Sequence, residues 1–298
     1  LYKYVFTLKS TVEAIRCRNE ILDRLERASN ASSPEVRKRL LSFAVVGGGP
    51  TGVEIAGAIG EMKRYILHRE YPAIHPDELS ITLIEGSDRL LRTMSETASK
   101  SAVDNLESLF VDIHLQKTMQ SYSDNIITFT DGSTLYAEML IWTAGITGVS
   151  FEMTGKSLPT GPGNRIIVDE FNRVEGIDDV YAIGDLSLHT DNFYPHGCPQ
   201  LAQVAIQQAH TLARNLNDGN FSHPFKYHDK GSMATIGRNR AVADLKHTHL
   251  TGFPAWFSWM FVHLVSLLGM RNKLVVLTNW IWAYFSYPTS LRLLFHPS

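Results

Sequence analysis

The sequence predicts an α/β fold centred on a parallel sheet, and three stretches carry that expectation. Phe43–Val46 is a short apolar, β-branched run of the kind that makes a buried parallel strand. It leads straight into Gly47-x-Gly49-x-x-Gly52, after which small and apolar residues recur at helical spacing (Ile55, Ala56, Ala58, Ile59). Leu79–Ile84 and Met139–Trp142 are further apolar runs of strand length, separated by helical and hairpin patterns.

The glycines have separate mechanical roles. Gly47 allows a tight turn, Gly49 lets the backbone approach a pyrophosphate, and Gly52 lets the helix pack close to the strand. The helix N-terminus, opening at Pro50 and Thr51, offers free N–H groups and a positive dipole end to phosphate. Strand, glycines and small-residue helix together point to dinucleotide binding. Glu85, at the end of Leu79–Ile84, stands where such folds accept the adenosine ribose hydroxyls. It follows Gly52 by 33 positions, and a proline-containing insertion over Arg64–Glu78 accounts for the long spacing. A carboxylate there repels a 2′-phosphate and favours NADH over NADPH; a solvated surface glutamate is the plainer alternative.

The remaining elements follow in order. Leu1–Ser10 carries Tyr2, Tyr4, Phe6 and Leu8 at alternate positions, a strand or extended connector. Thr11–Ala28 is an amphipathic helix with Val12, Ile15, Ile21, Leu22 and Leu25 among charges, broken near Pro34. Ser95–Leu109 reads as a helix, and Val111–Met119, Asn125–Phe129 and Ser133–Tyr136 as an antiparallel excursion before Met139–Trp142 returns in parallel. Gly155–Asn164 has a linker's composition. Arg165–Val168 and Val180–Ile183 read as strands, the second running into Gly184-Asp185, where Asp185 either closes a turn or meets a ribityl hydroxyl near a pyrophosphate. Gln200–Asn217 is a helix with Gln203 and Gln207 on one face amid alanines, either surface glutamines or the border of something flat. Lys230–Ala243 fits a hairpin.

Composition narrows the possibilities. A net charge of −2 over 298 residues, with no block of Lys or Arg, gives nucleic acid no purchase. Cys17 and Cys198 form no CxxC, so neither a disulfide framework nor a metal site is expected, and a reducing compartment fits. The chain opens on Leu1 without a signal-peptide pattern and reads as an excerpt from a longer protein. Beyond Asp244 there is no Asp or Glu, whereas four of the five tryptophans lie there. Two aromatic segments, about Pro254–Met270 and Leu274–Tyr287, flank Arg271-Asn272-Lys273. Interfacial helices on anionic lipid fit this tail best. A spanning hairpin, and a soluble core or dimer face, remain as alternatives.

Taken together, Val45 to Glu54, Trp142 to Gly145, Val180 to Asp185, Ala202 to Gln207, Lys230 to Arg238 and the tail Arg271-Asn272-Lys273 with Asn279-Trp280 resemble the type II NADH dehydrogenases. These are non-proton-pumping NADH:quinone oxidoreductases of the two-dinucleotide-binding flavoprotein superfamily. The resemblance implies a Rossmann-like NADH domain (residues 1–148), the returning half of an FAD-binding domain (149–245) and an amphipathic membrane-anchoring tail (246–298). It also implies that an N-terminal FAD Rossmann segment precedes the region where the chain begins.

By that resemblance Gly47, Gly49, Pro50, Thr51 and Gly52 would hold the NADH pyrophosphate and Glu85 its ribose, with Ala144 and Gly145 lining the cofactor path. Gly184, Asp185 and Ala202 would meet FAD. Gln203 and Gln207 would border the quinone, Glu54 would gate or relay protons between nicotinamide and flavin, and Lys230 would stabilise anionic reduced flavin. The implied location is peripheral, on the inner face of a bacterial cytoplasmic membrane, with anionic lipid, quinone and a second copy of the chain as partners. The lack of CxxC argues against flavin reducing a disulfide.

Overall fold

The computed structural model describes residues 5–153, 156–246 and 248–286. The expectations at Tyr2, Tyr4, Gly155 and Tyr287 lie outside the described residues.

The chain begins with β1 (Val5–Thr7), α1 (Thr11–Ser29), α2 (Pro34–Leu40), β2 (Ser42–Val46) and α3 (Pro50–Glu61). A π-helical turn, Met62–Ile66, leads to α4 (Leu67–Glu70), β3 (Ser80–Ile84), α5 (Glu96–Ser108) and β4 (Asp112–His114). A three-stranded antiparallel sheet follows, β5 (Met119–Ser123), β6 (Ile126–Phe129) and β7 (Thr134–Tyr136), then β8 (Met139–Trp142). Next come β9 (Glu152–Met153), β10 (Lys156–Ser157), β11 (Thr160–Gly161), β12 (Arg165–Val168), β13 (Ser187–His189) and α6 (Ala202–Asp218). The last elements are β14 (Ser232–Gly237), β15 (Arg240–Leu245), β16 (Thr248–Thr251), α7 (Gly252–Ser266) and α8 (Met270–Ser286).

Two compact units result, one from the described residues up to Ala144 together with those from Gly231 onward, the other from Gly145–Lys230. They part elsewhere than the expected limits after residues 148 and 245. The hairpin β14–β15 belongs to the first unit because Ala234, Ile236 and Val242 share one buried core with Val53, Ala56 and Ile59 of α3.

The first unit is organised by a wholly parallel sheet, order β1-β8-β2-β3-β4, as the apolar runs predict. Alternation divides its faces. Phe43, Val45, Ile81, Leu83, Met139 and Ile141 pack with α1, α3 and α5. Ala44, Val46, Ile84 and Leu140 meet Tyr122, Ile127 and Phe129 of the antiparallel sheet. The second unit has β12 parallel to β13 and antiparallel to β11, with its core at Ile166, Val168, Val174 and Ala182.

The structure departs from the sequence reading at five places. The break at Pro34 opens a second helix, since Ser33 caps it and proline suits its first turn. The supposed insertion after Arg64 continues the helix through the π turn and α4, held where buried Lys63 donates to the Leu79 carbonyl at 2.6 Å. Part of Val111–Met119 joins the parallel sheet as β4 rather than the antiparallel excursion. Val180–Ile183 is not a strand. It makes only an isolated bridge, Arg173 with Tyr181, and the strand beside β12 is Ser187–His189. Arg271-Asn272-Lys273 lies inside α8 rather than between the tail segments. Among the described residues no helix is long and apolar enough to cross a membrane.

Candidate functional site

The glycine loop joins β2 to α3 as the motif requires. Gly47 has φ +114°, and a Cβ there would lie 2.8 Å from both the Ala144 nitrogen and Thr143 Oγ1. Gly52 is buried against the loop, where a Cβ would come within 1.7 Å of the Gly47 carbonyl oxygen. Gly49 is the opposite case, with nothing within 4 Å of its Cβ position. It is the N-cap of α3, no side chain caps that end, and Pro50 fills the first turn. An exposed helix N-terminus with an open glycine in front of it matches an anionic pyrophosphate in charge and in room. Thr51 is exposed beside it.

Two side chains hold this loop. Glu85 Oε2 accepts from the Gly48 N–H at 2.5 Å, while Oε1 accepts from the Ser87 N–H at 2.7 Å and its hydroxyl at 2.8 Å. Burial opposes the charge, but these hydrogen bonds outweigh it and hold the carboxyl below its ordinary range. Glu85 is therefore ionised and fixed against the loop. Thr143 Oγ1 donates to the carbonyls of Val46 at 2.9 Å and Gly47 at 3.2 Å. The sequence reading included Thr143 in the stretch Trp142 to Gly145 but gave it no role; its place directly after β8, whose Trp142 is in register with Val46, is the signal that could have found it.

Glu54 projects from α3 onto β14, where Oε1 accepts from the Thr235 N–H and hydroxyl at 3.2 Å each. Burial pushes its carboxyl pKa up, against the Thr235 hydrogen bonds and the charge of His263. A half-buried carboxyl whose burial favours the protonated form more than water does is suited to holding a proton.

In the second unit Gly184 turns at φ +70°, and its N–H donates to Gln208 Oε1 at 2.7 Å. Gln208 is fully buried, and its Nε2 donates to Asn172 Oδ1 at 2.9 Å and Ser187 Oγ at 3.0 Å. This residue, which the sequence reading missed beside Gln207, fixes the Gly184 turn. Asp185 is exposed, and its carbonyl accepts from Gln200 Nε2 at 2.9 Å. Ala202 opens α6, whose N-terminus likewise has no side-chain cap.

Gln203 and Gln207 do share one face, and both amides grip the segment leading to Lys230. Gln207 donates to the His228 carbonyl at 2.9 Å and accepts from the His228 N–H at 3.0 Å. Gln203 Nε2 donates to Asp229 Oδ1 at 3.4 Å and Oε1 accepts from the Lys230 N–H at 3.0 Å. Lys230 itself is exposed. The chain leaves the first unit after Ala144 and enters the second at Gly145, which turns at φ +75°. Among the described residues no cluster of His, Cys, Asp or Glu could hold a metal ion.

A parallel sheet carrying this loop, with α6 and the Gly184-Asp185 turn further along, defines a nucleotide-dependent oxidoreductase architecture, and comparison bears this out. Residues 9–209 match the pyridine nucleotide-disulphide oxidoreductase family, and the chain belongs to it. Residues 229–286 match the NDH2 C-terminal domain, so the resemblance to the type II NADH dehydrogenases holds at both ends.

A type II NADH:quinone oxidoreductase of Mycobacterium tuberculosis is 33% identical over 297 residues, covering 94% of this chain and 62% of its own length. A mitochondrial internal alternative NAD(P)H-ubiquinone oxidoreductase of Solanum tuberosum is 34% identical over 84% of this chain and 53% of its own. The chain thus spans about three fifths or less of these relatives. Among solved structures, NDH2 of Plasmodium falciparum in complex with NADH superposes with TM-score 0.84 at 23% identity, over 99% of this chain and 75% of that one.

Proposed function

We propose that the protein oxidises NADH by way of FAD and delivers two electrons to a quinone at a membrane surface. The observation that carries the reading is the loop at the N-terminus of α3, open at Gly49, closed at Gly52 and held by the ionised Glu85. The names of the relatives support the same acceptor class. FAD, when bound, supplies the chemistry that turns a hydride from NADH into electrons a quinone can take.

The chain's own residues bind, orient and exchange protons. The α3 N-terminus and Gly49 receive the NADH pyrophosphate, and Glu85 offers its remaining lone pairs to the adenosine ribose hydroxyls. That carboxylate disfavours a 2′-phosphate. Glu54, its pKa raised, holds or moves a proton at its carboxyl oxygens beside Thr235. Ala144 and Gly145 line the cofactor path. Gly184, Asp185 and the α6 N-terminus at Ala202 receive the ribityl–pyrophosphate part of FAD, with Gln208 fixing the turn. Gln203 and Gln207 position the segment 228–230, and with it the exposed Lys230 amine, at the quinone and flavin edge.

The tail supports the membrane side of the reading. Phe253, Phe257, Phe261 and Val265 recur along one exposed face of α7, and Ile281, Trp282 and Phe285 are exposed toward the end of α8, which has Arg271 and Lys273 at its start. Aromatic and basic residues without acids suit an anionic interface. We place the protein peripherally, on the membrane face that NADH reaches.

The test is an absorption spectrum of the purified protein followed by NADH oxidation with a short-chain quinone. Bound oxidised flavin and NADH-dependent quinone reduction are expected. If added FAD were not taken up and no quinone were reduced, the reading would fail.

A further inference from the structure

The first unit contains an amphipathic cleft whose lining residues have no role in the function proposed above. Its polar part is a cavity of about 360 Å³ lined by Glu61, Tyr65, Arg238, Asn239 and Arg240. Its apolar part, about 310 Å³, is walled by Trp256, Trp259, Trp280 and Tyr284 of the tail helices. Glu61 and Arg238 line both, so the two halves meet there. Each volume falls in the ~300–1,000 Å³ range of ligand pockets.

Four features mark the cleft as shaped. Asn239 Oδ1 is buried and has no hydrogen-bond partner among the described residues, which is costly unless a donor arrives. Gly237, at φ +157°, lets the Glu61 carboxyl close in, where a Cβ would lie 2.8 Å from it, and the Arg238 N–H donates to Glu61 Oε1 at 2.6 Å. A π-helical turn, Met62–Ile66, begins directly after Glu61, and such turns gather at functional sites. The Arg238 guanidinium lies 4.1 Å from the Tyr284 ring centroid and donates to the Tyr284 carbonyl, which ties the polar half to the tail.

The chemistry of the two halves selects the occupant. Arg238 and Arg240 oppose the single carboxylate of Glu61, so the polar half carries an excess of positive charge. Arg240 Nη1 donates to Ser108 Oγ at 2.8 Å, and a guanidinium has four further N–H donors for a phosphate. Asn239 Oδ1 and Glu61 are acceptors and call for hydroxyl donors. The tail helices that wall the apolar half also carry exposed aromatic residues, Phe257 and Phe261 on α7 and Trp282 and Phe285 on α8. From this we infer that the cleft binds one anionic phospholipid with a hydroxyl-bearing head, its phosphate on Arg240, its hydroxyls on Asn239 and Glu61, and its chains along Trp256, Trp259 and Trp280. The inference rests on the membrane-surface reading of the tail for where the lipid comes from, and on the cleft alone for its recognition.

The experiment titrates short-chain phosphatidylglycerol, below its micelle concentration, into the purified protein and follows tryptophan fluorescence. Saturable binding of one lipid per chain is expected, at least tenfold tighter than short-chain phosphatidylcholine or phosphatidylserine. Arg240→Gln should weaken it at least tenfold, as should Asn239→Gly, which keeps the positive φ of the turn. No saturable response, equal binding of the three lipids, or unchanged affinity in both variants overturns the site. If Asn239→Gly melts early, Arg240→Gln decides. Flotation on phosphatidylcholine vesicles with and without phosphatidylglycerol separates the two readings. Flotation without short-chain lipid binding overturns the cleft and leaves the surface reading standing. Short-chain binding without flotation supports the cleft and removes the surface reading.

Discussion

Two alanine substitutions in the glycine loop should fail in opposite ways. At Gly52 helix propensity favours alanine by about 1 kcal/mol. The structure overrules it, because the new Cβ would lie 1.7 Å from the Gly47 carbonyl oxygen, where ordinary contact begins at 3.4 Å. Loop and helix must part by more than about 1 Å, a misplacement that can cost roughly 100-fold in a positioned reaction. Overpacking of this kind costs about 1–3 kcal/mol, which lowers the melting temperature by roughly 2–4 °C per kcal/mol. At Gly49 the Cβ meets nothing and φ is −73°, so Gly49→Ala should leave the melting temperature unchanged or raise it slightly. Its methyl occupies the space for the pyrophosphate, so NADH binding should weaken about tenfold or more, about 1.4 kcal/mol. Differential scanning calorimetry and NADH titration by fluorescence read both. Wild-type NADH affinity in Gly49→Ala would refute the cradle, and a wild-type melting temperature in Gly52→Ala would refute the packing argument.

Glu85 stabilises the loop as an anion. Its pKa is depressed on folding, so its contribution is full above the ordinary carboxylate range and is lost as pH falls through its lower folded value; the difference in stability between wild type and Glu85→Gln should shrink below about pH 4. The same variant should narrow the preference for NADH over NADPH, measured as the ratio of kcat/KM values. Gln208→Ala leaves Gly184, Ser187 and Asn172 without their buried partner and should cost about 2–5 kcal/mol in chemical denaturation, whereas Gln203→Ala, on the surface, should cost under about 1. Gly57→Ala would drive a Cβ to 1.9 Å from the Ile236 carbonyl and push β14 off α3, so turnover and stability should fall while NADH affinity holds. Replacing Phe257 and Phe261, each 59% exposed, by Ser should weaken vesicle flotation about tenfold per residue without lowering the melting temperature.

What the sequence disclosed was whatever had a local cause. The buried strand β2, the loop glycines and the helix α3 follow from β-branched composition and backbone freedom within one short segment, and all three are found where expected. Val180–Ile183 misled because an apolar run before Gly-Asp looks like a strand, whereas partnership with β12 is decided by a register that only the folded chain reveals. Gln203 and Gln207 were conspicuous by their spacing, yet Gln208 is the amide that is fully buried. Nothing in adjacent glutamines distinguishes the one facing inward. Thr143 was hidden for a similar reason, since its two acceptors lie almost a hundred residues earlier in the chain. The polar half of the cleft was beyond reach because it brings the end of α3 and the π-helical turn together with the Arg238–Arg240 hairpin turn, far along the chain.

Within the first unit α3 links these features. Its N-terminus faces the glycine loop, Glu54 one turn on meets Thr235, Gly57 lies against Ile236, and Glu61 accepts from Arg238. Glu54 and Glu61 are seven residues apart and so lie on one face, with Gly57 between them, and that face is the one pressed onto β14. Small residues there are a geometric necessity, because any side chain at Gly57 would separate the helix from the strand that supplies partners to both carboxyls. The helix that presents an N-terminus to phosphate therefore also fixes the hairpin on which the tail rests, Ala255 of α7 being buried against Ala241 and Ala243 of β15. The glycine loop and the hairpin that carries the tail helices are thus built on the two ends of one element, which is why a single glycine in its middle bears on both.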